Sequence, residues 1–500
     1  MEHHVKQPRW ILHRTTRWHS LLHDAAIILR PRLSWRYLLV STVVIYISYC
    51  FIRGSPLFAS KLPAYTGQHE VGTIDLEIPL KQPRLISNTQ FKDGTGPAFQ
   101  VETVLFSLYY PAIKGAKAHK RHTWVPKPIA LRAEGYAQAI HMNNFITRGI
   151  FTFGLWVVVG GIEIPAKVDV PILGTDDEKN HDAYPVMVFS HGTVASRTDY
   201  SNYCGELASR GYIVAALEHR DGSGPATNIL SKQKKERKIF HFGESHLRSD
   251  PPMDEPQLKK EQLAFREAEI EETIAVLRRI NAGEGPDVYK HNLRKEGHCL
   301  HNWGDRIDLN HLIIGGHSYG ATGALQALKA GPNSTSIPAI GGVALDPGKS
   351  SGPLNHKVDV PLLVVHSDSW SAKYSLFEGR PHFDTVRDLV DSVLDRVGAG
   401  WFVTSLKTSH PSVTDAPLIE PLLLSWTTGA SINVYEGLRE YVKVTSEFFE
   451  YLKTGERKGI LAEEITHPEY GRDNRTEDRK ESMGKDITKY WQIHVAPPAE

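Results

Sequence analysis

Short apolar runs alternate with helical patterns along the middle of the chain. The runs hold few polar residues, which is typical of strands buried on both faces of a sheet. They are Val104–Tyr110, Val186–Phe189, Ile213–Leu217, Leu312–Ile314, Ile340–Leu345, Leu362–Val365 and Trp401–Val403. The helical patterns between them are Tyr200–Arg210, Lys259–Asn281, Gly320–Lys329 and Asp384–Val397. This alternation predicts an α/β fold with a mostly parallel sheet covered by helices on both faces.

The two ends of the chain depart from this pattern. Residues 37–52 form an uncharged run of 16 residues, and residues 1–36 before it form a tail with seven basic residues. We therefore expect a transmembrane signal anchor at 37–52, with a cytosolic amino terminus and a lumenal or extracellular catalytic domain, as in a single-pass type II protein. An Arg-rich organelle-targeting leader is the alternative. We expect the catalytic domain at 63–454 and a charged tail at 455–500.

Composition narrows the choice of partners. The 58 basic and 57 acidic residues give a formal charge of +1, so nothing indicates a nucleic-acid partner. The three cysteines allow at most one disulfide, between Cys204 and Cys299. Sequons at Asn333 and Asn474 would be glycosylated if this part of the chain is lumenal.

Ser318 is the candidate nucleophile, because it stands in a G-x-S-x-G sequence between an apolar run and a helical pattern. In a nucleophile elbow, the flanking glycines let a strand turn sharply into a helix and expose the serine hydroxyl at the edge of the sheet. The amino terminus of that helix favours an oxyanion. A second match surrounds Ser350, but prolines flank it and no helical pattern follows, so we interpret it as a loop.

A serine nucleophile needs a base and an acid, and in this fold both follow it in the order Ser, acid, His. His410 is the best-placed base, because it follows a strand-like run and precedes Pro411. Asp346 and Asp368 both end an apolar run, and the residues themselves do not decide between them. The alternative bases are His356, His366, His382, His467 and His494.

An oxyanion hole needs two backbone N–H groups, one from the residue after the nucleophile and one from a loop after an earlier strand. Tyr319 is the first of these residues. The run Val186–Phe189 ends in Ser190-His191-Gly192-Thr193, so the amide of Thr193 is the second predicted donor. We interpret His191 as structural. A group of residues at 298–301 lacks a fourth ligand at a familiar spacing, so no metal is predicted.

Several motifs in a shared order resemble the plasma-type, group VII, platelet-activating-factor acetylhydrolases over residues 63–454. They are Leu62-Pro63-Ala64-Tyr65-Thr66-Gly67, Leu108-Tyr109-Tyr110-Pro111, Val188-Phe189-Ser190-His191-Gly192, Arg197-Thr198 and the run from Leu207 to Asp221. The resemblance implies an α/β-hydrolase fold and favours Asp346 over Asp368 as the acid, with Ser318 as nucleophile and His410 as base. It also implies Thr193 and Tyr319 as oxyanion donors, where animal members carry leucine and phenylalanine.

The resemblance further implies hydrolysis of the short or oxidised sn-2 acyl ester of glycerophospholipids, without metal or other cofactor. Phospholipid and membrane are then the expected partners. The apolar segment 145–159 would dock on lipid, and an ordinary core helix is the other interpretation of it. A general carboxylesterase or deacylase and a catalytically silent lipid-binding protein are the competing functions. The second is disfavoured, because nucleophile, acid and base candidates occur in the required order.

Overall fold

The chain divides into two units, Met1–Leu57 and Phe58–Glu500. The computed structural model describes residues 34–53, 56–174, 183–231, 236–421, 427–472 and 485–498. In the first unit, helix α1 spans Trp35–Arg53 and contains the predicted anchor. None of the helices in the described ranges, α1 included, is both long enough and apolar enough to cross a membrane. The prediction of a membrane-spanning helix therefore finds no support in the structure.

The described part of the second unit is built on a ten-stranded sheet. Its strands are β1 Glu70–Leu85, β2 Gln100–Ala112, β3 Lys167–Val168, β4 Tyr184–Ser190, β5 Ile213–Leu217, β6 Ile307–His317, β7 Gly341–Leu345, β8 Leu362–Ser367, β9 Gly400–Ser405 and β10 Trp491–Val495. Their spatial order is β10-β9-β8-β7-β6-β4-β5-β2-β1-β3. Three short ladders lie outside this sheet and pair 90–91 with 247–248, 226–229 with 237–240, and 376–377 with 380–381.

The centre of the sheet is parallel, and antiparallel strands extend it at both sides. Strands β5, β4, β6, β7, β8 and β9 run parallel to one another. Strand β2 pairs antiparallel with β5, and β10 pairs antiparallel with β9. The predicted α/β fold with a mostly parallel sheet is thus confirmed, and every predicted apolar run lies on one of its strands.

Helices cover both faces of the sheet. The α-helices that lie wholly in the described part of the second unit are α2 Ile129–Ala139, α3 Phe145–Val158, α4 Ser201–Ala208, α5 Glu255–Arg279, α6 Gly285–His291, α7 Tyr319–Ala327, α8 Asp368–Ala372, α9 His382–Val397, α10 Ala416–Ile419, α11 Val434–Thr454 and α12 Lys485–Tyr490. Alternate residues of a strand point to opposite faces. On β4, Val186 and Val188 therefore join the core under α5, α7 and α9, whereas Met187 and Phe189 join the core under α4 and α11.

The carboxyl-terminal segment differs from the predicted charged tail. Strand β10 lies at the end of the sheet beside β9, and Ile493 and Val495 on it are fully buried in the two cores. The described part of the segment therefore adds an edge strand to the fold. Elsewhere, the three cysteines are free. Asn333 is exposed in a loop, and Asn474 lies outside the described residues.

We predict that Ile493→Ala lowers the free energy of unfolding by about 2–5 kcal/mol, because it removes a buried aliphatic side chain and leaves a cavity. The exposed Ile465 is the matched control, since Ile465→Ala should change stability by less than about 0.5 kcal/mol. Urea denaturation of both variants measures the difference. Equal stabilities would show that the strand at the carboxyl terminus is not part of the folded core.

Candidate active site

The turn from β6 into α7 carries Ser318 in a strained backbone conformation. Its φ is 57° and its ψ is −121°, a region that costs a residue with a side chain on the order of 1–3 kcal/mol. The turn is closed by contacts that only glycine permits. A Cβ on Gly316 would lie 2.3 Å from the carbonyl oxygen of Gly320, and a Cβ on Gly320 would lie 1.9 Å from that of Ser190. The sequence G-x-S-x-G therefore has a steric cause.

Three side chains meet in a continuous hydrogen-bonded chain at the carboxyl edge of the sheet. His410, after β9, places Nε2 3.1 Å from Ser318 Oγ and Nδ1 2.8 Å from Asp346 Oδ2. Asp346, after β7, also accepts hydrogen bonds from the Ser367 amide at 2.6 Å and from its hydroxyl at 2.7 Å. With an ionised carboxylate, Nδ1 carries the imidazole proton and Nε2 is free to accept the serine proton.

The other predicted candidates have different partners. Asp368 accepts hydrogen bonds from the amide of Lys407 and the hydroxyl of Tyr470. Ser350 is exposed in a loop, as expected. Among the alternative histidines, His356 is exposed, and the rest are held by each other or by residues away from the elbow: His366 contacts Ser371, His382 stacks on His366, His467 contacts Thr466 and His494 contacts Thr404. The structure thus brings together Ser318, Asp346 and His410.

The imidazole of His410 is packed between two further rings. Trp370 stacks on it with ring centres 3.9 Å apart and planes 12° apart, and the His317 ring lies 4.5 Å away. Trp370 is itself fixed, because its indole N–H donates to the Pro347 carbonyl at 3.0 Å and the Lys349 ammonium lies 4.6 Å from its ring. Burial lowers the pKa of His317 well below its usual range, so this neighbour of His410 is neutral.

The two predicted oxyanion donors flank the serine. A Cβ on Gly192 would lie 3.0 Å from Ser318 Cβ, so the loop that carries Thr193 packs directly against the nucleophile. Tyr319 opens helix α7. In the described part of the chain, the amides of Thr193 and Tyr319 donate no hydrogen bond. Both N–H groups are therefore available to an oxygen atom bound next to Ser318.

His191 has the structural role that was expected for it. Its Nε2 accepts a hydrogen bond from the His219 amide at 3.0 Å, and its Nδ1–H donates to the Gly192 carbonyl at 2.8 Å. Burial, together with the charge of Arg266, lowers the pKa of His191 to about 4. A neutral imidazole at neutral pH is consistent with one nitrogen donating and the other accepting.

A second serine, histidine and carboxylate set was not predicted from the sequence. Ser190 Oγ lies 2.6 Å from His219 Nε2, and His219 Nδ1 lies 2.6 Å from Glu269 Oε2. All three side chains are completely or almost completely buried, so no substrate reaches them. They lie next to the loop of Gly192 and Thr193, because the His219 amide donates to His191 on that loop. Because their spacing along the chain matches no motif, only the fold reveals them.

Two clusters in the described residues have metal-ligating atoms close together. One consists of His410 and Asp346 together with the neighbouring His317, and the other of Asp75, His122 and Glu296. In the second cluster, Arg197 contacts Asp75 at 2.6 Å and Lys120 contacts Glu296 at 2.7 Å. Since both carboxylates already have cationic partners, a metal ion is not needed to balance their charge.

Helix α3 presents apolar side chains to solvent. None of its residues is buried, and Phe145, Phe153 and Trp156 expose 79%, 66% and 63% of their surface. Leu155 and Val158 pack against the core, so α3 is a surface helix with one side on the core and is not fully buried as a core helix would be. Its amino terminus is capped by Asn144, whose side chain accepts hydrogen bonds from the amides of Ile146 and Thr147. Exposed apolar faces are a common feature of surfaces that bind lipid or protein.

A mostly parallel sheet, a strand–serine–helix elbow and a histidine and an aspartate from later strands together define the α/β-hydrolase class. The family described as platelet-activating factor acetylhydrolase, isoform II, matches residues 57–449. The chain belongs to this family and is a carboxylic ester hydrolase.

Curated relatives agree with the family match. The chain is 25% identical to the platelet-activating factor acetylhydrolase of Gallus gallus, over 66% of this chain and 71% of that protein. It is 35% identical to that of Canis lupus familiaris, over 54% of this chain and 52% of that protein. Among solved structures, a ferulic acid esterase from Streptomyces cinnamoneus has a TM-score of 0.50 at 15% identity, covering 81% of this chain and 96% of that one. This last likeness concerns the fold alone.

We predict that Trp370→Leu lowers kcat up to about tenfold, because a stacked pair contributes about 0.5–1.5 kcal/mol and its loss lets the His410 ring turn away from Ser318. Trp370→Phe keeps a flat ring and should lose less. Both are measured as kcat per active site, titrated with a fluorophosphonate. If Trp370→Leu retains the full kcat, the stacked ring does not orient the imidazole.

Proposed function

We propose that this protein is a serine esterase that hydrolyses the short or oxidised sn-2 acyl ester of glycerophospholipids through an acyl-enzyme on Ser318. His410 takes the proton of the Ser318 hydroxyl as its oxygen attacks the ester carbonyl carbon. Asp346 accepts the Nδ1–H of His410 and stabilises the imidazolium. The amides of Thr193 and Tyr319 donate to the oxyanion of the tetrahedral intermediate.

The second half of the reaction uses the same groups. His410 returns its proton to the departing glycerol oxygen, which releases a lysophospholipid and leaves the acyl group on Ser318. A water molecule then gives a proton to His410 Nε2 and attacks the acyl carbonyl. As that intermediate collapses, His410 returns the proton to Ser318 Oγ, and the short carboxylic acid that leaves ionises in water. Each step transfers one proton through one imidazole, so the chain's own residues supply all the acid–base chemistry.

The observation that carries this proposal is the hydrogen-bonded chain from Asp346 to His410 to Ser318, at 2.8 and 3.1 Å. It ends on a serine held in a strained conformation beside two amides without a partner in the described residues. A structural serine at a strand–helix turn would need neither the strain nor the free amides. The combination therefore supports nucleophilic catalysis.

The phospholipid substrate is supported by the names of the relatives and by helix α3. An enzyme whose substrate resides in a membrane or lipoprotein gains from an apolar surface that contacts lipid, and the exposed Phe153 and Trp156 side chains offer one. We therefore propose that α3 docks on a phospholipid surface.

We predict that Ser318→Ala abolishes both labelling by a fluorophosphonate probe and release of acetate from an sn-2 acetyl phosphocholine. The wild type should do both in the presence of a chelator, because no step of the proposed mechanism uses a metal. Circular dichroism confirms that the variant is folded. If the wild type is labelled but releases no acetate from the phospholipid, the enzyme is instead a general carboxylesterase. Absence of labelling of the folded wild type would contradict the enzymatic mechanism.

For the lipid surface, we predict that Phe153→Asp lowers hydrolysis of substrate held in vesicles by at least about tenfold. Removing a buried phenylalanine from an interface costs about 1.5–3 kcal/mol. Hydrolysis of a dissolved, monomeric ester should be unchanged, because the substitution leaves Ser318 and His410 in place. Ile465→Asp, at an exposed isoleucine outside α3, serves as the matched control. Equal loss with both substrates, or no loss with vesicles, would show that α3 is not the docking surface.

A further inference from the structure

Arg266, on helix α5, is a completely buried side chain whose guanidinium group lies beneath the elbow. Its Nε donates to Asp221 Oδ2 at 2.7 Å, and its Nη2 donates to Ser223 Oγ at 2.6 Å. These two hydrogen bonds hold the side chain in one orientation. They leave Nη1 and the flat face of the guanidinium for other contacts. Nη1 points to one of the two segments that flank Ser318, and the flat face of the guanidinium points to the other.

The Nη1 group of Arg266 contacts the loop that carries Thr193. It donates to the His191 carbonyl at 2.7 Å and to Ser190 Oγ at 3.2 Å. The same peptide unit is held at its other end, because the Gly192 amide donates to Tyr200 Oη at 3.1 Å. The next carbonyl, that of Gly192, accepts from His191 Nδ1. The backbone groups that precede the Thr193 amide are thus all hydrogen-bonded within the protein. These bonds fix the direction in which the Thr193 N–H points.

The flat face of the guanidinium contacts the second segment, the start of helix α7, at Tyr319. Its central carbon lies 4.4 Å from the centre of the Tyr319 ring, and the Tyr319 hydroxyl donates to Gln262 Oε1 at 2.7 Å on the same helix as Arg266. A guanidinium over an aromatic face is attracted to the ring electrons, more strongly where both groups are removed from water. The first residue of α7 is therefore anchored through its side chain, while its backbone amide donates to no group among the described residues.

We infer that Arg266 is a positioning residue for the oxyanion hole: one guanidinium sets the distance between the Thr193 and Tyr319 amides by binding the His191 carbonyl and the Tyr319 ring together. This inference rests on the proposed function. Arginine suits the task, because its planar fork supplies several directed donors and a flat face, whereas lysine supplies only a point charge. The two amides come from segments far apart in sequence, so nothing local fixes their spacing.

The test compares Arg266→Lys and Tyr319→Leu with Arg220→Lys. Arg220 is a second buried arginine, and its side chain donates to Glu77 at 2.7 Å and to the Thr103 carbonyl at 3.1 Å, on strands away from the elbow. Tyr319→Leu keeps the backbone amide and the pair of Arg266 with Asp221, so it tests positioning even if Arg266→Lys fails to fold. Hydrolysis of p-nitrophenyl acetate is measured per titrated active site. Affinity for a trifluoromethyl ketone, whose adduct carries the oxyanion, is measured in parallel.

We expect Arg266→Lys and Tyr319→Leu to lower kcat about 10- to 100-fold with little change in KM, since loss of a complete donor costs about 10²- to 10³-fold. Affinity for the ketone should fall by the same factor. Tyr319→Phe, which keeps the ring over the guanidinium, should lose less than Tyr319→Leu. Arg220→Lys should lower the denaturation midpoint and leave kcat and ketone affinity unchanged.

If Tyr319→Leu retains kcat and ketone affinity, or if Arg220→Lys lowers them equally, Arg266 is only structural and the inference is overturned. Because the assay uses a soluble ester, its outcome is separate from that of the phospholipid substrate. A wild type that hydrolyses p-nitrophenyl acetate but not the phosphocholine ester contradicts the proposed function and leaves the role of Arg266 to be decided by the variants.

Discussion

The sharp turn at Ser318 is the constraint on which the rest of the site depends. A residue with a side chain at φ 57° is strained, and the surrounding packing must hold it there. Gly320 allows this, because the backbone of α7 lies against the Ser190 carbonyl with no room for a Cβ. The same contact joins the first turn of α7 to the end of β4, and therefore brings the Thr193 loop beside the serine. The steric requirement that raises the hydroxyl thus also assembles the place where an oxyanion would form.

Two buried histidines next to the catalytic residues are neutral, because burial lowers the pKa of each imidazole. Asp346 is buried but accepts three hydrogen bonds, which compensates the cost of keeping a carboxylate away from water. His317 lies next to His410, and burial lowers its pKa so that it adds no positive charge there. Beneath the site, burial and the charge of Arg266 also lower the pKa of His219, which leaves a neutral ring between Ser190 and Glu269. The rings of His317 and His219 therefore order the site through directed hydrogen bonds and add no positive charge to it.

The sheet and the nucleophile were predictable from sequence, because buried parallel strands are continuous apolar runs and the elbow needs its glycines at fixed spacing. Local patterns could not choose between Asp346 and Asp368, since both follow an apolar strand; the family resemblance favoured Asp346, and the contacts of the two carboxylates agree with that choice. The strand Trp491–Val495 was missed because charged residues surround a short run, and its burial depends on pairing with Gly400–Ser405. Arg266 was missed for a related reason: its partners lie 43 to 76 positions away in the sequence.

We propose that all ester hydrolysis by this protein passes through the Ser318 hydroxyl. The most direct measurement follows residual hydrolysis of an sn-2 acetyl phosphocholine while a fluorophosphonate modifies the wild-type enzyme, with the modified peptide quantified by mass spectrometry. We predict that activity falls in direct proportion to the occupancy of Ser318 and reaches zero at full modification. Hydrolysis that persists when Ser318 is fully modified would contradict the proposed role of the Ser318 hydroxyl. Inactivation through a phosphonylated residue elsewhere in the chain would contradict it as well.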